Sequence, residues 1–195
     1  MNKMDEFKEN EFKEDEFEPI KQHLINIDPK LSVIFGSVDI NLYDIIKTPY
    51  TALLGAIIGQ KISYQTAKSL RSKLYSQFGT NIQPNEIINS NLSFLGASAI
   101  IIHEVTRYIL NNNVNLETEE GIRSLINVKG IGIWTIETTL LTCMKNWDIF
   151  PLDDKFLQVR MKRLYGVNTR FEMEYISSKW SPYRSLVTWH LWRWF

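Results

Sequence analysis

The chain has 195 residues, of which 44% are hydrophobic, so it is long enough to bury one sizeable core or two small lobes that share a cleft. Cys143 is the only cysteine, which excludes an intrachain disulfide, a multi-cysteine zinc site and a four-cysteine iron-sulfur cluster. The three histidines form no ligand-spaced pair, and no side-chain metal site is expected. The longest nearly apolar run, 52–59, is too short to cross a bilayer, and the N-terminus is acidic, so the cytoplasm is the expected compartment.

The formal net charge is zero, but the charges are unevenly distributed. Residues 1–20 hold three Lys against eight Asp and Glu, which leaves 19 basic against 14 acidic residues over 21–195. Affinity for nucleic acid comes largely from cations that neutralise phosphates. The mildly basic main part of the chain is therefore compatible with a nucleic-acid partner.

The N-terminal segment repeats an acidic residue followed by phenylalanine, at Glu6-Phe7, Glu11-Phe12 and Glu16-Phe17. A spacing of five matches neither the helical period of 3.6 nor the strand period of 2, so no continuous apolar face results. The pattern predicts a disordered acidic tail over 1–18 and a folded domain over 19–195. A tail that uses its phenylalanines to bind a partner is the alternative.

Helical periodicity dominates the rest of the chain. Apolar residues at helical spacing make the stretch from Tyr50 to Phe78 the longest helical signal, and Gly79 stands where a helix would stop. Further helices are predicted at about 99–110, 118–126, 133–146, 154–165 and 182–195, with Pro84 opening a short one. Since strand-like alternation is nearly absent, the expected fold is all-α, a two-lobed helical bundle with a central cleft.

Residues 125–135 predict a helix end, a tight turn that contains Gly130 and Gly132, and a second helix that opens with Ile133 and Trp134. Glycines let the backbone approach a ligand closely, and the N–H groups at the start of the second helix suit a phosphate. An ordinary αα-hairpin is the alternative interpretation.

Two adjacent acids, Asp153 and Asp154, follow Pro151 and precede a helical pattern. Helix capping explains one acid but does not need two. Because adjacent residues at a helix start point in different directions, one acid can cap the helix while the other faces a cleft.

Two further segments carry recognisable patterns. The C-terminal segment 180–195 opens with Trp-x-Pro-Tyr-Arg-Ser and contains Trp-x-x-Trp, and most of its rings are expected to pack in a core. Residues 54–67, Leu-Gly-Ala-Ile-Ile-Gly-Gln-Lys-Ile-Ser-Tyr-Gln-Thr-Ala, lie within the long helical signal and are similar to a helix and turn of the family named below. A solvated lysine at a kink in a core helix is the alternative there.

In this order, the four segments resemble the helix-hairpin-helix DNA glycosylase superfamily and, within it, the 3-methyladenine DNA glycosylase II family. The resemblance covers about residues 50–195. It implies base excision repair, in which a damaged and mostly alkylated purine is flipped out of double-stranded DNA and its N-glycosidic bond is hydrolysed to leave an abasic site. It also implies a monomer without a cofactor, apart from a monovalent cation that the hairpin backbone can bind, located with the DNA in a bacterial nucleoid or a nucleus.

The resemblance assigns roles to residues. It makes Asp154 the catalytic carboxylate, which leaves Asp153 to cap the helix, and it places Trp134, Trp192 and Thr138 in the base pocket. The DNA-contacting positions that it implies are Gln60, Lys61, Ser63, Lys129, Gly130, Gly132 and Ile133.

The sequence departs from the family pattern at three positions. Ile101 stands where a lysine is usual, Thr138 where some members have a tyrosine, and Lys61 where relatives can carry an apolar wedge. The chain also leaves no room for the N-terminal β-domain of some relatives. These departures leave the lesion open. They also leave open whether Gln60 or Lys61 fills the gap of the flipped base, or whether these residues only contact a phosphate.

Two rival functions stay open. A bifunctional glycosylase and lyase for oxidised bases needs a Schiff-base lysine in the cleft, but Trp134 stands at that position and Lys129 is poorly placed to replace it. A non-catalytic helix-hairpin-helix module would grip DNA for a partner, with Asp154 as a helix cap only.

Overall fold

A computed structural model of the chain describes residues 14–38, 47–143 and 145–194. Over these residues the regular structure is helical and contains no strand, which confirms the all-α prediction. The described helices are α1 (Glu14–Ile27), α2 (Leu31–Ser37), α3 (Pro49–Ile58), α4 (Tyr64–Phe78), α5 (Pro84–Ile87), α6 (Ala97–Asn111), α7 (Glu119–Ser124), α8 (Ile133–Thr142), α9 (Lys155–Tyr165), α10 (Arg170–Ser178) and α11 (Arg184–Arg193). Within the described ranges, no helix is both long and apolar enough to cross a membrane.

The chain divides into two compact units. The first combines residues 1–41 with 155–195 and contains α1, α2 and α9 to α11. The second, residues 42–154, contains α3 to α8. The boundary between them falls directly after Asp154.

Helix α1 begins at Glu14, inside the segment predicted as a tail, so the predicted boundary at residue 18 is wrong for residues 14–18. Phe17 is only 7% exposed, and it lies seven residues before the fully buried Leu24, which places both on one helical face. The five-residue spacing relates the phenylalanines only to one another, so it does not reveal that Phe17 and Leu24 share a helical face. Residues 1–13, the rest of the predicted tail, lie outside the described residues.

The first unit is organised around a buried tryptophan. The fully buried Trp180 donates its indole N–H to Oδ2 of Asp28 over 3.1 Å, and the Tyr165 hydroxyl donates to the same oxygen over 2.8 Å. Burial and the Asp28 charge raise the pKa of Tyr165. Helix α10 was not predicted, although its capping box, Thr169 with Glu172, is visible in the sequence.

The second unit is built around α3, every residue of which is buried. The hydroxyl groups of Tyr50 and Thr106 lie 2.6 Å apart and link α3 to α6. The long helical signal from Tyr50 to Phe78 is broken after Ile58, and α4 starts anew at Tyr64. The break follows from Lys61, which takes the left-handed value φ +57°, and from Ser63, which caps α4.

Candidate functional site

The hairpin at 125–135 forms as the sequence predicts. A single helical turn, Leu125–Asn127, is followed by a tight turn in which the Ile131 N–H donates to the Val128 carbonyl over 3.0 Å. Helix α8 then begins, with Gly132 at its N-cap position. Lys129, both glycines and Ile133 are exposed on this surface, and the Ile133 side chain is 55% exposed. Free N–H groups at a helix start and a rim of small residues suit the close approach of a phosphate.

The two hairpin glycines have different structural roles. Gly130 has φ +92°, and a Cβ there would lie 3.0 Å from the Ile101 side chain. Ile101, one of the departures from the family pattern, therefore packs against the hairpin backbone. Gly132 has φ −113°, and a Cβ there would meet nothing within 4 Å. Gly130 is required by the fold, whereas Gly132 keeps the surface open.

The side chain of Gln60 braces the hairpin. Its amide Nε2 donates to the Gly130 carbonyl over 3.0 Å and to the Thr135 hydroxyl over 2.9 Å. These two hydrogen bonds connect the turn after α3 to the hairpin turn and to the first turn of α8. The sequence reasoning missed Thr135, which is 2% exposed, because a threonine within an apolar helix gives no distinctive signal.

The two other residues predicted around this turn are exposed. Lys61 projects from the turn, and Ser63 uses its hydroxyl to accept the Thr66 N–H over 3.2 Å as the cap of α4. Of the two candidates for filling a gap in DNA, Gln60 is occupied by the hairpin and Lys61 is exposed.

Trp134 and Asp154 are brought together by the fold. The indole N–H of Trp134 donates to Oδ2 of Asp154 over 2.9 Å, across 20 positions of sequence. Asp154 is only 4% exposed and Trp134 is half-buried. The far end of the indole lies beside Gly59, where a Cβ would stand 3.5 Å from Cη2. A buried carboxylate with an oriented donor is the strongest chemical feature of this unit.

The structure corrects the assignment of the helix cap. Asp154 is the residue directly before α9 and so takes the N-cap position itself, whereas Asp153 lies in the preceding turn and is exposed. The Asp154 N–H donates to the Pro151 carbonyl over 2.9 Å, which fixes the backbone there. The helix starts one residue later than a cap at Asp153 would require. Asp154 therefore combines the position of a cap with the hydrogen bond to Trp134.

The remaining predicted pocket residues lie in different units. Thr138 follows Trp134 by one turn of α8, and its buried hydroxyl has no hydrogen-bond partner among the described residues. Trp192 belongs to α11 in the first unit, where its ring meets Trp189 edge to face with centroids 5.7 Å apart. Trp192 is half-buried, so part of its surface is open to a ligand.

The hairpin turn presents neutral backbone carbonyl oxygens to a cation. The Gly130 carbonyl accepts from Gln60 and the Val128 carbonyl from Ile131, and each oxygen has a second lone pair. This donor set fits a weakly held monovalent cation, which would add positive charge beside a phosphate. Among the described residues, no group of three or more His, Cys, Asp or Glu side chains is placed to hold a metal ion.

The single cysteine follows the end of α8 and is buried. Burial is the main cause that raises the pKa of the Cys143 thiol to about 11. A thiol that stays protonated near neutral pH is a poor nucleophile. Asp154 and Trp134, rather than Cys143, are therefore the candidates for chemistry in this unit.

No protein-family model matches the chain. Among curated relatives, the alkylbase DNA glycosidase-like protein mag2 of Schizosaccharomyces pombe is 29% identical over 164 residues, which are 74% of this chain and 77% of the relative. A DNA-3-methyladenine glycosylase of Bacillus subtilis is 25% identical over 172 residues, and the chain spans 56% of its length.

The fold is similar to that of the 3-methyladenine DNA glycosylase Mag1 of Schizosaccharomyces pombe, solved in complex with abasic DNA. The TM-score is 0.76 at 21% identity, over 90% of this chain and 95% of that one. At this identity the likeness establishes the fold. The chain is thus similar in sequence to proteins named as alkylbase or 3-methyladenine DNA glycosylases, and in fold to Mag1.

Proposed function

We propose that the chain is a monofunctional DNA glycosylase that excises alkylated purines from double-stranded DNA and leaves an abasic site. The observation that carries the proposal is the buried Asp154 carboxylate, which accepts the Trp134 indole N–H over 2.9 Å. The relatives named as 3-methyladenine or alkylbase glycosylases support the same reaction class.

Asp154 is the catalytic residue of this proposal. Cleavage of an N-glycosidic bond develops oxocarbenium character at the sugar, as in glycoside hydrolysis. An ionised carboxylate beside the sugar stabilises that cation and orients or deprotonates the attacking water. The hydrogen bond from Trp134 holds the carboxylate in one orientation, so its charge needs no reorganisation when the bond breaks.

In this proposal the damaged base contacts Trp134 and Thr138 of the second unit. An alkylated purine carries positive charge, and the electron-rich face of a tryptophan attracts such a cation by about 0.5 to 2 kcal/mol. Its glycosidic bond is already weakened, so it needs little protonation of the leaving base. An aromatic face beside a carboxylate is suited to this substrate.

The hairpin and the turn before α4 bind the DNA backbone in this proposal. Lys129 and the exposed start of α8 contact phosphates, while Lys61 enters or borders the gap that the flipped base leaves. Gln60 contributes to DNA binding indirectly, by holding the hairpin in place, because its amide donates to Gly130 and Thr135. The substrate is a duplex with one damaged base, bound by a monomer.

The test is a panel of duplexes, each with one lesion, scored for base release and for strand cleavage before and after alkali. We expect release of alkylated purines, with strands that stay intact until alkali cleaves the abasic site. Trapping of a covalent protein-DNA adduct by borohydride would contradict the monofunctional reaction, because it requires a Schiff-base lysine. Binding without release of any base would instead identify a non-catalytic DNA-binding module.

A further inference from the structure

Positive charge in the second unit is concentrated in one stretch of chain. Residues 45–85 contain five Lys and Arg and not a single Asp or Glu. Helix α4 lies within this stretch and carries Lys68, Arg71 and Lys73 without an acid on the same helix. An exposed helix face normally balances its lysines with carboxylates three or four residues away. Helix α4 lacks this balance.

Three other cations of the second unit are paired with carboxylates. Arg107 contacts Glu104 at 2.7 Å, Arg123 contacts Glu119 at 2.6 Å, and Lys145 contacts Glu117 at 2.8 Å. By contrast, Lys68 and Lys73 are exposed, and neither has a carboxylate within 4 Å among the described residues. The same is true of Lys61 and Lys129, the lysines at the proposed DNA contacts.

The geometry of α4 places these two lysines on either side of a neutral row. At 100° per residue, Lys68 and Lys73 flank a line of exposed side chains formed by Gln65, Ser69, Ser72 and Ser76. The short serine side chains allow a phosphate backbone to come close to the helix, within reach of an ammonium group on each side.

Helix α4 follows Lys61, the residue proposed to lie at the gap of the flipped base, closely in the sequence. Helix α4 starts at its cap Ser63, two residues after Lys61, and its 15 residues span about 22 Å. At 3.4 Å per base pair, that length corresponds to about six base pairs. The helix can thus carry phosphate contacts away from the damaged base.

We propose that the Lys68 and Lys73 face of α4 is a second contact surface for the duplex backbone, outside the hairpin. This inference rests on the proposed DNA-binding function. The surface binds phosphates without reading sequence, and it lengthens the footprint on undamaged DNA beside the lesion.

The test is the salt dependence of binding to an undamaged 30-base-pair duplex, measured by fluorescence anisotropy. Each phosphate contact contributes about 0.9 to the slope of log K against log salt, so Lys68→Gln/Lys73→Gln should reduce the slope by about 2. Lysine and glutamine have similar helix propensities, so the variant should fold, which a thermal melt checks. The matched control, Arg107→Gln/Lys145→Gln, removes the same charge from paired sites and should leave the slope unchanged.

An unchanged slope in the Lys68→Gln/Lys73→Gln variant, or an equal drop in the control, would overturn the second surface. Base release is scored separately on a lesion duplex under single-turnover conditions with saturating enzyme, where the α4 variant should match the parent. If the parent binds DNA but releases no base, the proposed function fails while the slope still decides the role of α4.

Discussion

The indole N–H of Trp134 and Oδ2 of Asp154 lie 2.9 Å apart, and they join the start of α8 to the residue before α9. The opposite end of the same ring rests beside Gly59, after α3. Two other segments thus hold the Trp134 side chain, and its N–H in turn orients the Asp154 carboxylate. Preorganisation of this kind is what electrostatic stabilisation of a developing positive charge requires.

Asp154→Asn should reduce single-turnover base release by about a hundredfold or more, while DNA binding and the fold are retained. The amide keeps the size of the side chain, can accept the Trp134 N–H and can cap α9, but it supplies no negative charge. Losing such charge stabilisation typically costs a hundredfold or more in rate. Quench-flow or manual single-turnover assays on a 3-methyladenine-type substrate measure the effect.

Asp153→Asn is the matched control for this variant. Because Asp153 is exposed in the turn and Asp154 takes the cap position, the control should change both rate and melting temperature little. A collapse of activity in the control, with Asp154→Asn within a few-fold of the parent, would move the catalytic role by one residue. No effect of either variant would contradict the proposed mechanism.

Trp134→Phe should slow base release without preventing DNA binding. The phenyl ring keeps an aromatic face but lacks the N–H that holds Asp154, and a hydrogen bond to a charged group contributes about 1.5 to 3 kcal/mol. The expected loss in rate is therefore about 10- to 100-fold. Trp192→Phe removes an indole N–H from the other ring predicted for the pocket and should cost clearly less. Equal losses in the two variants would show that aromatic area, rather than the Asp154 contact, determines the rate.

Gln60→Ala should lower the stability of the fold, whereas Lys61→Gly should not. The Gln60 variant loses both hydrogen bonds to the hairpin and leaves the buried Thr135 hydroxyl without this donor, a cost of about 1 to 3 kcal/mol. Lys61 has φ +57°, where glycine is unstrained, so Lys61→Gly should be as stable as the parent or more so, yet bind DNA less tightly. Urea unfolding and anisotropy titrations separate the two effects. A Gln60 variant with unaltered stability would show that the brace is not needed.

The sequence was sufficient to predict those parts of the fold that depend on local periodicity and turn chemistry. The hairpin at Gly130 and Gly132 and the helix after Asp154 form where the sequence indicates them. Helix α10 could have been predicted as well, since Thr169 and Glu172 form a capping box three residues apart.

Contacts between distant segments could not be predicted from periodicity. Gln60 was expected to contact DNA, but its amide is bound by residues 70 and 75 positions later. The N-cap position falls at Asp154 rather than at Asp153, which spacing alone does not determine. The hydrogen-bond partner of each of these side chains depends on the tertiary structure.

Gly130→Ala and Gly132→Ala should separate stability from DNA affinity. At Gly130, φ +92° disfavours any Cβ, and the new methyl group would also press on Ile101 at 3.0 Å, so the expected cost is about 1 to 3 kcal/mol. For a domain of this size, that lowers the melting temperature by about 2 to 4 °C per kcal/mol. Gly132 has an ordinary φ and open space around it, so its variant should lose less than about 1 kcal/mol.

The DNA affinities of the two glycine variants should show the reverse order. A methyl group on the exposed Gly132 stands where a phosphate would approach the start of α8, so binding should weaken although the fold is intact. Adding Ile101→Ala to Gly130→Ala relieves the contact but not the backbone strain, and it should recover only part of the lost stability. Melting curves and anisotropy titrations of the same preparations give both quantities. If Gly132→Ala binds DNA like the parent, the phosphate does not lie at the start of α8, and the hairpin holds the backbone elsewhere.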